Sequence, residues 1–246
     1  MSKILPLILL ITLTLQADFW RFEAGGGVWK QSGNGTMRHS DDTHDLDLDG
    51  TLGIDDTQDI YLWAYLKHPL PLIPNVRLEY TKSAFDGKSD AAFHFDGKDY
   101  PLDTPYDLSF KQIDAILYYN LLDNLLWLTL DVGIDAAFMR FDASLQEESY
   151  NADVVVPQLY ARIRVELPLS GFAFEGEGKY FTFSDSAIGD LRLKIDYTFD
   201  TPLVQPGIEA GYRYLRIDLD SGDYDAIDTT LDMTLSGIYL GGFIRF

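Results

Sequence analysis

The densest chemistry in the chain is acidic. The segment Asp45–Asp56, DLDLDGTLGIDD, sets Asp45, Asp47 and Asp49 at alternate positions, follows them with Gly50 and ends on Asp56. This is how a calcium loop begins, with oxygens at positions 1, 3 and 5 and a glycine at 6 that lets the chain turn around a hard cation. It implies Ca²⁺ or Mg²⁺ held by Asp45, Asp47, Asp49 and Asp56. Three features depart from the pattern: position 12 is Asp where Glu is usual, no helical segments flank it, and Leu46 and Leu48 alternate as in a strand. The other reading is therefore a β-extension with its acids in water. A second run, Asp218, Asp220, Asp223, Asp225, Asp228 and Asp232, has no base among it. Dense aspartate repels itself, so both runs should attract cations. The histidines His39, His44, His68 and His94 could pair with nearby acids as a general base. No recognisable nucleophile accompanies them, so no hydrolytic site is expected.

A second set of charges is spaced differently. Arg162, Arg164 and Glu166 alternate with Leu159, Ala161, Ile163 and Val165. Glu175, Glu177 and Lys179 repeat the two-residue spacing, as do Arg192, Lys194 and Asp196, and Asp131 and Asp135. Arg21, Glu23, Arg77, Glu79, Asp114, Glu209, Arg213 and Arg245 fall on the same face of their segments. A two-residue period is that of a strand with one greasy and one polar side. Cations and anions nearly balance on the polar face, so it can neutralise itself by salt bridges. The net charge of −20 must then reside mainly in the loops, and it excludes nucleic-acid binding, which needs a basic footprint.

These rows require strands to carry them. Ten alternating segments are expected near 19–30, 58–68, 75–85, 107–119, 126–141, 156–167, 171–183, 190–200, 207–219 and 230–246. Every second connection is short (69–74, 120–125, 168–170, 201–206). Those between are polar and mostly long (31–57, 86–106, 142–155, 184–189, 220–229). That rhythm, with an even strand number, predicts an all-β transmembrane antiparallel up-and-down barrel with both termini in the periplasm. Every proline from Pro69 onward should lie in a connection or at a strand end. Periodicity does not choose a side for Tyr61, Trp63 and Tyr65 against Ile60, Leu62 and Leu66. Trp20, Tyr119, Trp127, Phe172, Phe199 and Phe246 cluster at the inferred periplasmic ends, where an aromatic girdle belongs. Aromatics in the 86–106 loop (Phe93, Phe95, Tyr100, Tyr106) could contact a ligand or pack as a lid. Lys3, the apolar run Ile4–Leu15 and Ala17 read as a signal peptide over 1–17, leaving the barrel at 18–246. With no cysteine there is no lipid-attachment site or disulfide.

The segment HPLPLIPNVRLEY (His68–Tyr80) resembles a motif of a group of small Gram-negative outer-membrane β-barrel proteins named for a Gly-Gly feature. FWRFEAGGGVW (Phe19–Trp29), TLGIDD (Thr51–Asp56) and the closing GIYLGGFIRF (Gly237–Phe246) are similar to other parts of that group. The resemblance implies an outer-membrane location and a barrel, and brings no catalytic residue with it. The expected role is structural or interactive: an integral envelope protein whose acidic outer loops attract cations. Its partners would be outer-membrane lipid and lipopolysaccharide, and the barrel-assembly machinery through the C-terminal strand. A narrow solute or cation channel is the alternative, and a barrel-hosted hydrolase the third reading. A barrel of this size can be filled by its own interior side chains, which favours a polar plug over a pore.

Overall fold

The computed structural model describes residues 20–70, 72–223 and 228–246. The expected signal peptide over 1–17 and Asp225 of the second acidic run lie outside them. The strands are β1 (Arg21–His39), β2 (Leu46–Asp47), β3 (Thr57–Lys67), β4 (Asn75–Lys88), β5 (Phe93–Phe95), β6 (Lys98–Tyr100), β7 (Pro105–Leu125), β8 (Leu128–Leu145), β9 (Glu148–Glu166), β10 (Phe172–Phe183), β11 (Ser186–Thr198), β12 (Gln205–Leu219) and β13 (Thr229–Arg245). Ten of these form the wall, in the order β13-β12-β11-β10-β9-β8-β7-β4-β3-β1, all antiparallel. The ring closes where β1 pairs with β13, from Glu23↔Arg245 to His39↔Thr229. β5 and β6 form a separate hairpin, and β2 adds to the outer end of β1.

Outward positions carry the apolar residues. Ile60, Leu62, Leu78, Ile134, Leu159, Ile163, Leu191, Leu193, Ile238 and Leu240 are all exposed, while Arg162, Arg164, Glu175 and Glu177 are buried. Exposed leucines around a whole circumference make sense only against acyl chains, and a closed sheet satisfies its backbone there without water. Trp20, Tyr119, Trp127, Phe172, Phe199 and Phe246 are exposed at the end where the short turns lie. Tyr61, Trp63 and Tyr65 point inward, deciding the side that periodicity leaves open.

Small residues make room for these inward rings. A side chain at Gly241 would collide with the Tyr61 hydroxyl, and one at Gly207 with the Phe243 ring. At Gly237, backbone of β1 at Lys30 and Gln31 occupies the space a Cβ would need, so the seam that closes the ring depends on this glycine.

The strands run further outward than their polarity suggests. The expected loop at 142–155 is instead a two-residue turn: β8 continues to Leu145 and β9 starts at Glu148. The first connection shortens from 31–57 to 40–56, because β1 continues through Gln31–His39. Asp142, Ser144, Asn151 and Asp153 read as loop because strand residues beyond the bilayer face water and lose the apolar alternation. Leu126 and Trp127, expected in a strand, form the β7–β8 turn with φ of 55° and 66°.

Pro157 is a further correction, since it sits inside β9 opposite Ala136 and not in a connection. Pairing between β9 and β10 stops at Leu159↔Tyr180, so the outer half of β9 has a ladder only with β8. Hydrogen-bonded pairs alternate from the Leu145–Glu148 turn and place the Pro157 nitrogen on the unladdered side, where no donor is needed.

Gly237→Val should lower unfolding free energy in urea, measured in lipid vesicles, by about 1–3 kcal/mol through overpacking. Gly178→Val, where no heavy atom lies within 4 Å, should change it little.

Candidate functional site

The barrel interior has three storeys. The periplasmic half is a layer of ion pairs, the outer half is apolar, and two loops cap the mouth.

Every lumen residue expected from the sequence turns toward the axis. Lys179 of β10 holds Glu79 of β4 at 2.7 Å and Asp114 of β7 at 2.9 Å. Glu79 also takes Arg77 at 2.6 Å and Arg192 at 2.7 Å. Glu177 lies 3.2 Å from Arg77 and 3.4 Å from Arg192. Nearer the periplasm, Arg162 bonds Asp131 at 2.7 Å and reaches Glu175 at 3.3 Å. Arg164 grips Asp196 through two bonds of 2.6 and 2.9 Å and touches Glu166 at 3.1 Å. Lys194 bridges Glu175 and Glu209 at 3.1 and 3.3 Å, and Glu209 also accepts from the Trp63 indole and the Tyr61 hydroxyl. Glu23 joins Arg21 and Arg245 beside the closing seam.

Asp190 belongs to the same layer although it stands at the very start of the expected 190–200 segment, beside residues that read as loop; β11 in fact begins four residues earlier, at Ser186. It takes Arg213 in a two-pronged bond of 2.8 and 2.9 Å. Arg213 then crosses to Thr81 of β4 at 2.7 Å. Asp135 and its cross-strand neighbour Gln158 are buried, and their side-chain polar atoms have no hydrogen-bond partner.

Among the described residues, no three of Asp45, Asp47, Asp49 and Asp56 bring ligand atoms to one centre. Leu46, Leu48, Leu52 and Ile54 are buried in the barrel mouth, so the alternation that carries Asp45, Asp47 and Asp49 turns them out to solvent. Asp49 bonds to Asp47, and three of the acids have other partners besides. Asp45 pairs with Arg38 at 3.1 Å, Asp56 with Lys30 at 3.2 Å and Ser32 at 2.5 Å, and Asp47 accepts from the Gly50 amide at 3.0 Å.

The β5–β6 hairpin is the second half of the cap. Its turn is Asp96–Gly97, with φ of 52° and 67°, a dipeptide that marks a tight hairpin and was legible in FHFDGKD. Phe95, Tyr100 and Tyr106 are buried, so these aromatics pack as a lid. Asp42 of the first loop accepts from the Asp96 and Gly97 amides, and Asp90 donates to the Thr51 carbonyl, so the two loops are bonded together.

Two of the four histidines meet acids. His94 lies 2.8 Å from Asp99 and 3.4 Å from Asp42. His39 lies 3.6 Å from Asp96. His39, Asp41 and Asp96 offer ligand atoms within 4.8 Å of one another, yet Asp96 already accepts from Tyr150 and the His39 ring from the Asp41 amide. His44 contacts only Thr43, and His68 braces its own periplasmic turn through Pro74 and Leu70. The Asp99 contact raises the His94 imidazole above its ordinary value.

Between cap and ion layer the inward faces are mostly apolar, with Gln31, Ser83 and Gln112 buried among them. Met139, Val156, Ile188, Leu215, Ile217 and Leu235 form a packed floor. Above it lies a cavity of about 200 Å³, lined by Met37, Leu48, Phe85, Phe110, Tyr150 and Met233 among others. The sequence carries the signal at Val154–Val156, where alternation lapses, and at Leu215–Leu219, where the apolar residues move to the face that carries Glu209 and Arg213.

No family model and no curated protein matches the chain. Solved outer-membrane barrels share its architecture. The protease OmpT of Escherichia coli is 7% identical with a TM-score of 0.46, covering 95% of this chain and 99% of that one. The transport unit of the autotransporter AIDA-I of Escherichia coli is 9% identical, with a TM-score of 0.44 and coverage of 95% and 91%. The attachment invasion locus protein Ail of Yersinia pestis is 9% identical, with a TM-score of 0.38 and coverage of 93% and 100%. These are likenesses of barrel architecture and bring no activity with them. With its apolar circumference and closed ladder, the chain is an integral outer-membrane β-barrel.

Lys179→Met should take from Asp114 its ammonium partner, while Glu79 keeps Arg77 and Arg192, and cost about 3–5 kcal/mol in urea unfolding, whereas a joint Asp190→Leu, Arg213→Leu replacement should cost less than the sum of its singles. His94 has a raised value when folded, so its contribution to the cap is complete below the ordinary histidine pKa of about 6.5 and is lost as pH rises through the higher folded value. Amide protection factors across Phe93–Tyr100, with the intrinsic pH dependence of exchange divided out, should therefore fall as pH rises above about 6.5, and His94→Ala should remove that fall.

Proposed function

We propose that the protein is a plugged envelope barrel with a structural and interaction role, presenting an acidic, capped outer face. One observation carries this reading. The Lys179 ammonium, fully buried, ties Glu79 to β10 from a strand four places round a ten-strand wall. Arg213 spans the same separation to Thr81. These bonds cross the lumen, and an ion passing through would have to break several charge-assisted contacts in a low-dielectric interior.

The exterior supports lipid and lipopolysaccharide as the lateral partners. The strand that closes the ring, β13, apolar in alternation and followed by Phe246, is the segment we assign to recognition by the assembly machinery. The resemblance of His68–Tyr80 to the Gly-Gly-named barrel group agrees with location and fold and adds no activity. The outer acids, set on two loops bonded to each other, form the surface offered to cations or to a basic partner.

In planar bilayers the purified protein should show no discrete conductance steps. The triple variant Glu79→Ala, Lys179→Ala, Arg192→Ala should show them, because it removes the crossing side chains. Cation-selective steps from the unaltered protein would overturn the plug and favour the narrow channel.

A further inference from the structure

The apolar cavity has no part in the plug. It is separated from the ion layer by the packed floor of Met139, Val156, Leu215 and Leu235. Its walls come from strands on several sides, Met37 and Met233 at the closing seam and Phe85 and Phe110 across from them, with Leu48 and Ile54 of the first loop above.

We propose that this cavity binds an uncharged hydrocarbon group, either a single aromatic ring with a short alkyl substituent or a linear chain of about eight carbons. Size is the first argument. An apolar cavity of about 150 Å³ stays dry and accepts benzene, and this one measures about 200 Å³. Lining chemistry is the second. Carbon dominates, and the charged side chains among the lining residues are Asp142 and Asp228, with His39 beside Asp96. Among the described residues no lysine or arginine lines the cavity, so a carboxylate or phosphate head would meet acids there. The third argument is adaptability. The unbranched thioethers of Met37 and Met233 conform to either a ring or a chain.

The wall at the cavity also differs from the rest of the barrel. Tyr150 and Ala152 line it from the stretch of β9 that has no ladder with β10. Entry is therefore from the outer half, beside the bilayer's outer leaflet or through the cap, and the floor stops passage toward the periplasm. The hydrocarbon could be a free molecule or the acyl chain of a neighbouring lipid, and the two leave different traces.

The test uses the full chain in phosphatidylcholine nanodiscs with ¹³C-methyl methionine, titrated with ethylbenzene and, separately, n-octane. The Met37 and Met233 methyls should shift and saturate, while Met139, outside the cavity lining, should move much less. Ala152→Leu fills the space and should weaken the apparent affinity at least tenfold. Ala143→Val serves the same purpose should the first variant fail to assemble, and the lipid-facing Ile163→Ala should leave the titration unchanged. Methyl contacts to protonated lipid chains that vanish with deuterated lipid identify an acyl occupant. Saturation without them identifies a free molecule. Shifts that rise linearly, equally at Met139 and in Ala152→Leu, together with no lipid contact, would report bilayer partitioning alone and overturn the proposal.

Discussion

A chain that crosses hydrocarbon must satisfy its backbone from within, and here that obligation is met by one seam. β1 pairs with β13 along nearly its whole length, and the ring so closed has ten strands. Strand number sets the width of the interior. At this width the long side chains of Arg, Lys and Glu reach across, as Lys179 does to Glu79 and Arg213 to Thr81. The plug is therefore a consequence of closure as much as of composition. The glycines at the seam serve the same requirement, since Gly237 admits the backbone of β1 and Gly241 admits the ring of Tyr61.

The interior is divided by a change in what the inward positions carry. Charges occupy the periplasmic half, where most find a partner on their own or another strand. Carbon occupies the outer half, where the first loop brings Leu46, Leu48, Leu52 and Ile54 into the mouth. The same alternation turns Asp45, Asp47 and Asp49 outward. One short segment thus supplies both the greasy underside of the cap and part of its acidic top, so its acids and its leucines are two faces of a single structural choice.

Much of this was legible in the chain. Arg162, Arg164 and Glu166 alternate with Leu159, Ile163 and Val165, and a two-residue period leaves little freedom about which side meets lipid. The ion layer follows from that assignment almost residue by residue. The outer ends were harder to read. Asp142, Asn151 and Asp153 belong to strands that have left the bilayer, where water replaces lipid and the apolar rhythm disappears. Asp190 hides for a related reason, because the small residues before it, Ser186, Ala187 and Gly189, make the outer end of β11 look like loop. The Asp45–Asp56 pattern misleads because a calcium loop and a β-extension both place acids at alternate positions. Leu46 and Leu48 are what separate the two, since burying them forces the acids apart from any shared centre. The cavity could not be read from residue types alone. Its existence depends on how far Leu48, Phe95 and Phe110 reach toward one another in space.

Pro157 gives the unladdered flank of β9 a property of its own. A strand flank left open in a wall invites a foreign strand to zip onto it, from a neighbouring copy or from a chain still being inserted. A residue with no amide hydrogen, facing that flank, interrupts the row of donors such an intruder would need. The barrel can thus keep one side of its outer rim loosely stitched without becoming a template for fusion with its neighbours.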